Sequence, residues 1–197
     1  MAAQLAPVPR PIGMFDQFIA TKTETLVLKE HVLSLSGDSF DITLASGQPV
    51  LRVQGTVFSL SGRKNGYDMA GSHLFTIARE LMHLHMTYVL LYPSGQKFFE
   101  LRSRFQLLGS KATATFTSPA TGKAESLTMS GNWFDTSASI LDDSNGCTVA
   151  RIDRKLCNGR QLLFGQQTYA VLVAPGVDLA VIAALCICLD EKDNEQK

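Results

Sequence analysis

The sequence lacks an excess of charge of either sign. Its 197 residues include 18 Lys and Arg and 18 Asp and Glu, so the chain is formally neutral at pH 7. A general nucleic-acid binder needs a basic excess, and we therefore expect no nucleic-acid partner. Apolar residues make up 45% of the chain and charged residues 18%, a balance typical of a folded domain with a core.

The sequence also lacks targeting and membrane signals. Its first fifteen residues contain three prolines and no apolar run of signal-peptide length. No stretch reaches the ~18 consecutive apolar residues of a membrane span. Asn-x-Ser/Thr sequons are absent, and a chain of this size does not need its four cysteines as disulfides. We predict an intracellular, cytoplasmic protein without a transmembrane segment, either free or attached peripherally to a membrane.

Motifs of catalysis are missing as well. The sequence has no nucleophile elbow, no phosphate-binding glycine loop and no zinc-finger cysteine spacing. His83 and His85 would face the same side of a strand, as zinc ligands often do, but no further ligand follows at motif spacing. Ordinary strand histidines are the favoured interpretation. We predict a protein that is not an enzyme, with no catalytic residues, no cofactor and no metal.

Glycines recur at a fixed spacing along the chain. Gly47, Gly71 and Gly95 lie 24 residues apart, and Gly146 follows 51 residues after Gly95. After each glycine, the positions four and six residues on are apolar and the position between them is polar, as in a half-buried antiparallel strand. Gly122 begins a copy of this pattern that is displaced by one residue.

A unit of this length holds two strands and their turns, but it is too short for a strand–helix–strand crossover. The pattern therefore predicts a chain of hairpins with roughly ten to twelve strands, joined by turns such as Ser46-Gly47, Asn65-Gly66 and Asn145-Gly146. So many strands must curl, divide into two layers or close, because open sheet edges invite aggregation.

The end of the chain has a different pattern. Leu179–Leu189 is a run of eleven residues without a polar side chain, preceded by Pro175-Gly176 and by Asp178, a suitable N-cap. As a helix this run is ~16 Å long, far short of the ~30 Å hydrocarbon layer of a membrane. Because a helix that is apolar on every side must be buried on every side, we predict an all-β domain with one central helix. The expected architecture is a closed antiparallel barrel that encloses a hydrophobic C-terminal helix at about 178–189.

Five segments carry a resemblance to a known family. They are Ser34–Gly37, Leu51–Gly62, Gly131–Ile140, Ala150–Lys155 and Tyr169–Glu191. In this order, over nearly the whole chain, they resemble the LURP-one-related family, which is similar in fold to the tubby C-terminal domain and to phospholipid scramblases. The resemblance implies a barrel of about twelve strands around the C-terminal helix. It brings no catalytic residues, and no tubby lipid-binding motif can be carried over residue by residue.

Basic residues concentrate in one segment of the neutral chain. Residues 151–160 contain four bases and one acid, and Arg63 and Lys64 lie together in a second predicted turn. Basic turns that meet at one barrel end could hold an anionic lipid headgroup, each charge contributing about 1 kcal/mol near an anionic surface. The candidate binding residues are Arg63, Lys64, Arg151, Arg154, Lys155 and Arg160. A solvated hairpin end with ordinary surface charges would carry the same residues.

The expected organisation is an N-terminal extension at 1–20, a single tubby-like barrel domain at 21–191 and a charged tail at 192–197. The expected function is that of a non-enzymatic binding module. Its ligand would be an anionic phospholipid such as a phosphoinositide, or it would serve as a signalling adaptor. The alternative is a scaffold for a protein partner with no lipid role.

Overall fold

A computed structural model describes residues 4–31, 38–56, 62–81, 86–105, 110–132, 137–153 and 168–194. Within these ranges the chain forms twelve strands and one α-helix. The elements are β1 (Glu24–His31), β2 (Ser39–Leu44), β3 (Pro49–Gly55), β4 (Lys64–Asp68), β5 (His73–Glu80), β6 (Thr87–Leu91), β7 (Lys97–Phe105), β8 (Ser110–Thr117), β9 (Ala124–Asn132), β10 (Ser137–Asp142), β11 (Thr148–Asp153), β12 (Thr168–Val173) and α1 (Leu179–Asn194). The predicted strand histidines His83 and His85 lie outside the described residues.

The strands form a closed antiparallel barrel. Each strand pairs with the next one along the chain, and β1 pairs with both β2 and β12, which closes the sheet. Closure leaves no unpaired sheet edge, which is the liability of an open sheet with this many strands. The predicted fold class, a barrel of about twelve strands with a hydrophobic C-terminal helix, is confirmed.

Along the strands of the barrel wall, side chains alternate between the interior and the outside. In β1, Leu26 and Leu28 face the interior, where they lie opposite Leu44 and Ile42 of β2. Both leucines are fully buried. The same alternation places Glu30, the next residue of this row, inside the barrel as well.

The recurring glycines occupy equivalent hairpin turns. Gly47 has a φ of 88° and Gly95 a φ of 85°, a left-handed conformation that favours glycine. The hairpins of Gly47, Gly71, Gly95 and Gly146 each have a register shift beside the turn, whereas the described β8–β9 register of the Gly122 hairpin has none. A bulge adds one residue to a strand, so the missing bulge accounts for the one-residue displacement of the Gly122 repeat.

The prediction of a tight turn at Asn65-Gly66 is wrong. Both residues lie within β4, and the turn to β5 comes later, where the Gly71 amide donates to the Asp68 carbonyl. A Cβ on Gly66 would lie 2.5 Å from the ring of Phe75 on the neighbouring strand. Gly66 is therefore needed for close packing inside the barrel, which a pattern of turn residues does not distinguish from a turn.

Helix α1 fills the barrel interior. Every residue from Leu179 to Leu189 is buried, with at most 8% of its surface exposed, and the helix continues past this run to Asn194. Burying each large apolar side chain contributes about 1.5–3 kcal/mol, which gives the helix a strong preference for the interior. None of the helices in the described residues combines the length and the apolar character needed to span a bilayer.

The two ends of the barrel are formed by different elements. The end with the glycine turns, where α1 begins, is called the glycine end; the other, where Glu30, Lys64 and the end of α1 lie, is called the polar end. Residues 4–23 cover the glycine end: the Ile12 amide donates to the Gly176 carbonyl, and Ile12 is fully buried.

Asp178 joins the covering segment to the helix. Its Oδ1 accepts hydrogen bonds from the amides of Ala180 and Val181, which makes it the predicted N-cap. Its Oδ2 accepts hydrogen bonds from the amides of Met14 and Phe15, at 2.9 and 2.8 Å. One buried carboxylate therefore holds both the helix start and the N-terminal segment.

A charge in the middle of the helix tests its burial. Ala184 has no exposed surface, so Ala184→Asp places an unpaired carboxylate in the core and should cost about 3–5 kcal/mol or more. The measurement is thermal unfolding followed by circular dichroism. Ala120→Asp, at an exposed position beside the Gly122 turn, is the matched control and should change the midpoint little. A soluble Ala184→Asp protein with the wild-type midpoint would contradict the central helix.

Candidate functional site at the polar end

The inward rows of the barrel bring charged side chains together at the polar end. Glu30 lies opposite Phe40 in β2, and Lys64 lies opposite the inward-facing Ile77 of β5. Both are buried, with 8% and 4% of their surfaces exposed. Asp38 lies directly before β2, and the end of α1 adds Asp190 and Glu191. The site is therefore built from β1, β4, the residue before β2 and the helix terminus.

Lys64 is neutralised inside this cluster. Its Nζ lies 3.1 Å from Oε1 of Glu191 and donates a hydrogen bond of 3.2 Å to the carbonyl of Asp38. The ammonium also lies 6.0 Å from the centre of the Phe40 ring. These contacts tie β4 to the helix end, and they fix Lys64 inside the barrel.

Among the described residues, acids outnumber bases around Lys64. Ligand oxygens of Glu30, Asp38 and Glu191 all lie within 4.8 Å of one another. Burial, followed by the neighbouring charges of Asp190, Asp38 and Glu191, raises the pKa of Glu30 from 4.5 to about 7, against the opposing effect of Lys64. Oε1 of Glu30 is buried and has no hydrogen-bond partner in the described part of the chain.

The other predicted binding residues lie elsewhere. Arg63 is exposed just outside β4. Arg151 faces outward from β11, because its neighbours Ala150 and Ile152 face the core. Going around the barrel from β4 through β3, β2, β1 and β12, β11 is the fifth neighbouring strand. Because neighbouring strands lie ~4.8 Å apart, Arg63 and Arg151 are ~24 Å apart along the wall. The structure therefore does not bring Arg63, Lys64 and Arg151 to one point.

The remaining predicted binding residues, Arg154, Lys155 and Arg160, fall between Asp153 and Thr168, outside the described residues. Asp153 ends β11 and Thr168 begins β12, and both strand ends lie at the polar end. The half-buried Arg151 has an Nε atom that is buried without a hydrogen-bond partner among the described residues.

Ion pairs occupy several other basic side chains. At the glycine end, the guanidinium of Arg10 contacts the buried carboxylates of Glu125 and Asp142 at 2.5 and 3.2 Å. On the outer wall, Lys97 bridges Glu80 and Glu100. Because Arg10 and Lys97 are paired with acids, they are less available to an anionic ligand.

Strands β7, β8 and β9 line two adjoining grooves of about 600 and 530 Å3, the first of which extends to Met14 at the glycine end. They share Glu100 and Thr115. The first groove has an aromatic wall at Tyr92 and Phe98, whose ring centres lie 4.2 Å apart, and the second is lined by Lys111 and hydroxyl side chains. This is a concave surface with both apolar and polar parts.

Residues 24–190 match the family model described as LURP-one-related. The chain belongs to the LURP-one-related family. Its similar proteins in Arabidopsis thaliana include Protein LURP-one-related 15, 23% identical over 98% of this chain and 91% of the relative. Protein LURP1 is 25% identical over 93% of this chain and 84% of the relative. An X-ray structure of an Arabidopsis thaliana protein is similar in fold, with a TM-score of 0.59 and 16% identity over 93% of this chain and 99% of that one.

Sequence reasoning missed the carboxylates of the polar end. Glu30, Asp38 and Glu191 are separated along the sequence and form no motif. The signal that could have found Glu30 is the inward row of Leu26 and Leu28, which continues to it. Asp38 and Glu191 become neighbours of Glu30 only through barrel closure and the position of the helix, which no local pattern encodes.

The raised pKa of Glu30 predicts a pH-dependent effect of Glu30→Gln. Because the folded-state pKa lies above the ordinary value, the favourable contribution of protonated Glu30 is complete below pH 4.5 and is lost as the pH rises through about 7. Glutamine cannot ionise. In buffer that contains a metal chelator, the thermal midpoint of Glu30→Gln should therefore lie a few degrees above that of wild type at about pH 8. The difference between the two midpoints should shrink towards pH 4.5.

The measurement is the thermal midpoint of both proteins across this pH range. Asp16→Asn removes an exposed carboxylate outside the cluster and serves as the control. A Glu30→Gln midpoint equal to wild type at about pH 8 would contradict a costly buried charge at this position.

Proposed function

We propose that this member of the LURP-one-related family is a non-enzymatic binding module for an anionic phospholipid headgroup. The ligand binds outside the barrel, beside the end of β11, because α1 fills the interior. The observation that carries the proposal is the outward-facing position of Arg151 near the end of β11, after which the sequence runs directly into the bases Arg154 and Lys155.

The charge distribution supports this position. Arg10, Lys64 and Lys97 are held in ion pairs with acids, so they offer little to an external anion. The sequence that continues β11 beyond Asp153 adds Arg154 and Lys155, and later Arg160. A phosphate group offers several acceptor oxygens to guanidinium donors, and its charge complements this basic segment.

Charge reversal tests the lipid proposal. Wild-type protein should co-sediment with vesicles that contain phosphoinositide, more strongly at low than at high salt. Because each basic residue contributes about 1 kcal/mol near an anionic surface, the Arg154→Glu/Lys155→Glu variant should bind roughly tenfold more weakly or worse. Lys22→Glu/Lys123→Glu makes the same change in net charge at exposed positions near the glycine end.

The control variant should retain most of the binding. Absence of wild-type binding at low salt would refute a lipid role. An equal loss in both variants would assign the binding to net charge alone and would refute a site beside β11.

A second candidate is an adaptor that binds a protein partner. The adjoining grooves on β7, β8 and β9 favour it, since together they give a concave surface with aromatic, hydroxyl and charged side chains. Interfaces of this kind combine aromatic anchors with a polar rim.

A bulky side chain at the shared groove wall tests the adaptor function. Thr115 is exposed and lines both grooves, so Thr115→Arg should block them while leaving the barrel core unchanged. Affinity capture from native cells should yield a stoichiometric partner with wild type and with Ser46→Arg, a control in an exposed turn, but not with Thr115→Arg. A partner that Thr115→Arg retains would exclude this surface.

A further inference from the structure

The carboxylates at the polar end have the spacing of a cation site. Ligand oxygens of Glu30, Asp38 and Glu191 all lie within 4.8 Å of one another. A Ca2+ ion contacts its oxygen ligands at ~2.4 Å, so two of its ligands can be ~4.8 Å apart when they lie on opposite sides of the ion. Mg2+ contacts oxygens at ~2.1 Å and demands a near-ideal octahedral arrangement, whereas Ca2+ accepts irregular arrangements. A cluster of three carboxylates from separate elements therefore suits Ca2+ better than Mg2+.

A buried oxygen without a partner points independently to a ligand. Glu30 is 8% exposed and extends the inward row of Leu26 and Leu28, so its side chain points into the cluster. Its Oε1 has no hydrogen-bond donor in the described part of the chain. An unsatisfied carboxylate oxygen at such a site is costly, and a bound cation would compensate for it.

The local charge also favours a cation. Lys64 is the positive charge within the cluster, and Asp190 adds a fourth carboxylate near Glu30. The carboxyl end of α1 contributes the negative end of the helix dipole. Within the described part of the chain, one ammonium group therefore faces four carboxylates and a helix terminus of the same sign as the acids.

The three carboxylates are buried to different degrees. Asp38 and Glu191 are half-buried, while Glu30 is buried. Water molecules would complete a coordination shell of six to eight oxygens, as is usual for Ca2+.

We propose that Glu30, Asp38 and Glu191 form a binding site for a hard divalent cation, with Ca2+ as the occupant. The ion lies beside the Lys64 ammonium, which limits its affinity by charge repulsion. The site uses residues other than those of the phospholipid and partner surfaces proposed above.

Calorimetric titration of the full chain with Ca2+ tests this proposal. After treatment with a chelator and dialysis at about pH 7.5, wild-type protein should give saturable binding of one ion, and Mg2+ should bind more weakly. Glu30→Gln and Asp38→Asn should each weaken Ca2+ binding roughly tenfold or more, since each removes one charged ligand. Asp16→Asn, the same change at an exposed position outside the cluster, should bind Ca2+ as wild type does.

Lys64→Met provides a change in the opposite direction. It removes the internal cation and keeps a long apolar side chain, so Ca2+ should bind several-fold more tightly and should raise the thermal midpoint more than in wild type. Carboxylates with a purely structural role would give no such gain.

Folding of each variant is checked by circular dichroism, and Asp38→Asn, at a half-buried position, decides the outcome if Glu30→Gln does not fold. Absence of saturable Ca2+ binding at millimolar concentration overturns the proposal. Binding that Glu30→Gln and Asp38→Asn both leave unchanged overturns it as well, because the ion would then be bound elsewhere.

Discussion

The carboxylate of Asp178 is the interaction on which the rest of the structure depends. It accepts four backbone hydrogen bonds, two from the first turn of α1 and two from Met14 and Phe15. Burial raises its pKa to about 6, although these four amide donors oppose that shift. The approach is close enough that a Cβ on Gly13 would lie 2.2 Å from the Cβ of Asp178. The first eleven residues of α1 have no polar side chain, so Asp178 is the side chain that anchors the start of the helix.

The filled interior determines where function can reside. Helix α1 occupies the space that a barrel of this size would otherwise offer to a ligand. Binding surfaces must then lie on the outer wall or at the ends. At the glycine end, residues 4–23 cover the opening through backbone hydrogen bonds to residues 175–178. The described residues of the outer wall and of the polar end include the charged side chains on which the proposed functions rest.

The sequence was sufficient for the architecture because its signals are local. Alternation after Gly47, Gly71 and Gly95 defines which side chains face inward, and the apolar run at the carboxyl end defines what they surround. The error at Asn65-Gly66 has a local cause too: a turn dipeptide and a packing glycine have the same composition, and only the Phe75 ring tells them apart. The candidate site was less predictable, since Lys64 has the sequence context of a surface turn but faces the core.

The two ends of the barrel show that the positions of charged residues, and not the net charge of the chain, determine how far each charge is compensated. At the glycine end, the buried carboxylates of Glu125 and Asp142 share one guanidinium, that of Arg10. Hydrogen bonds from Ser144 and Arg10 outweigh burial and lower the pKa of Asp142, whereas burial raises that of Glu125. At the polar end, Lys64 faces a larger set of acids. Among the described residues, buried carboxylates therefore outnumber bases at both openings of a chain that is neutral overall. The barrel cannot relieve this charge imbalance by turning side chains outward, because alternation along each strand fixes which side chains point inward. At the polar end, a proton on Glu30 or a bound cation would add positive charge.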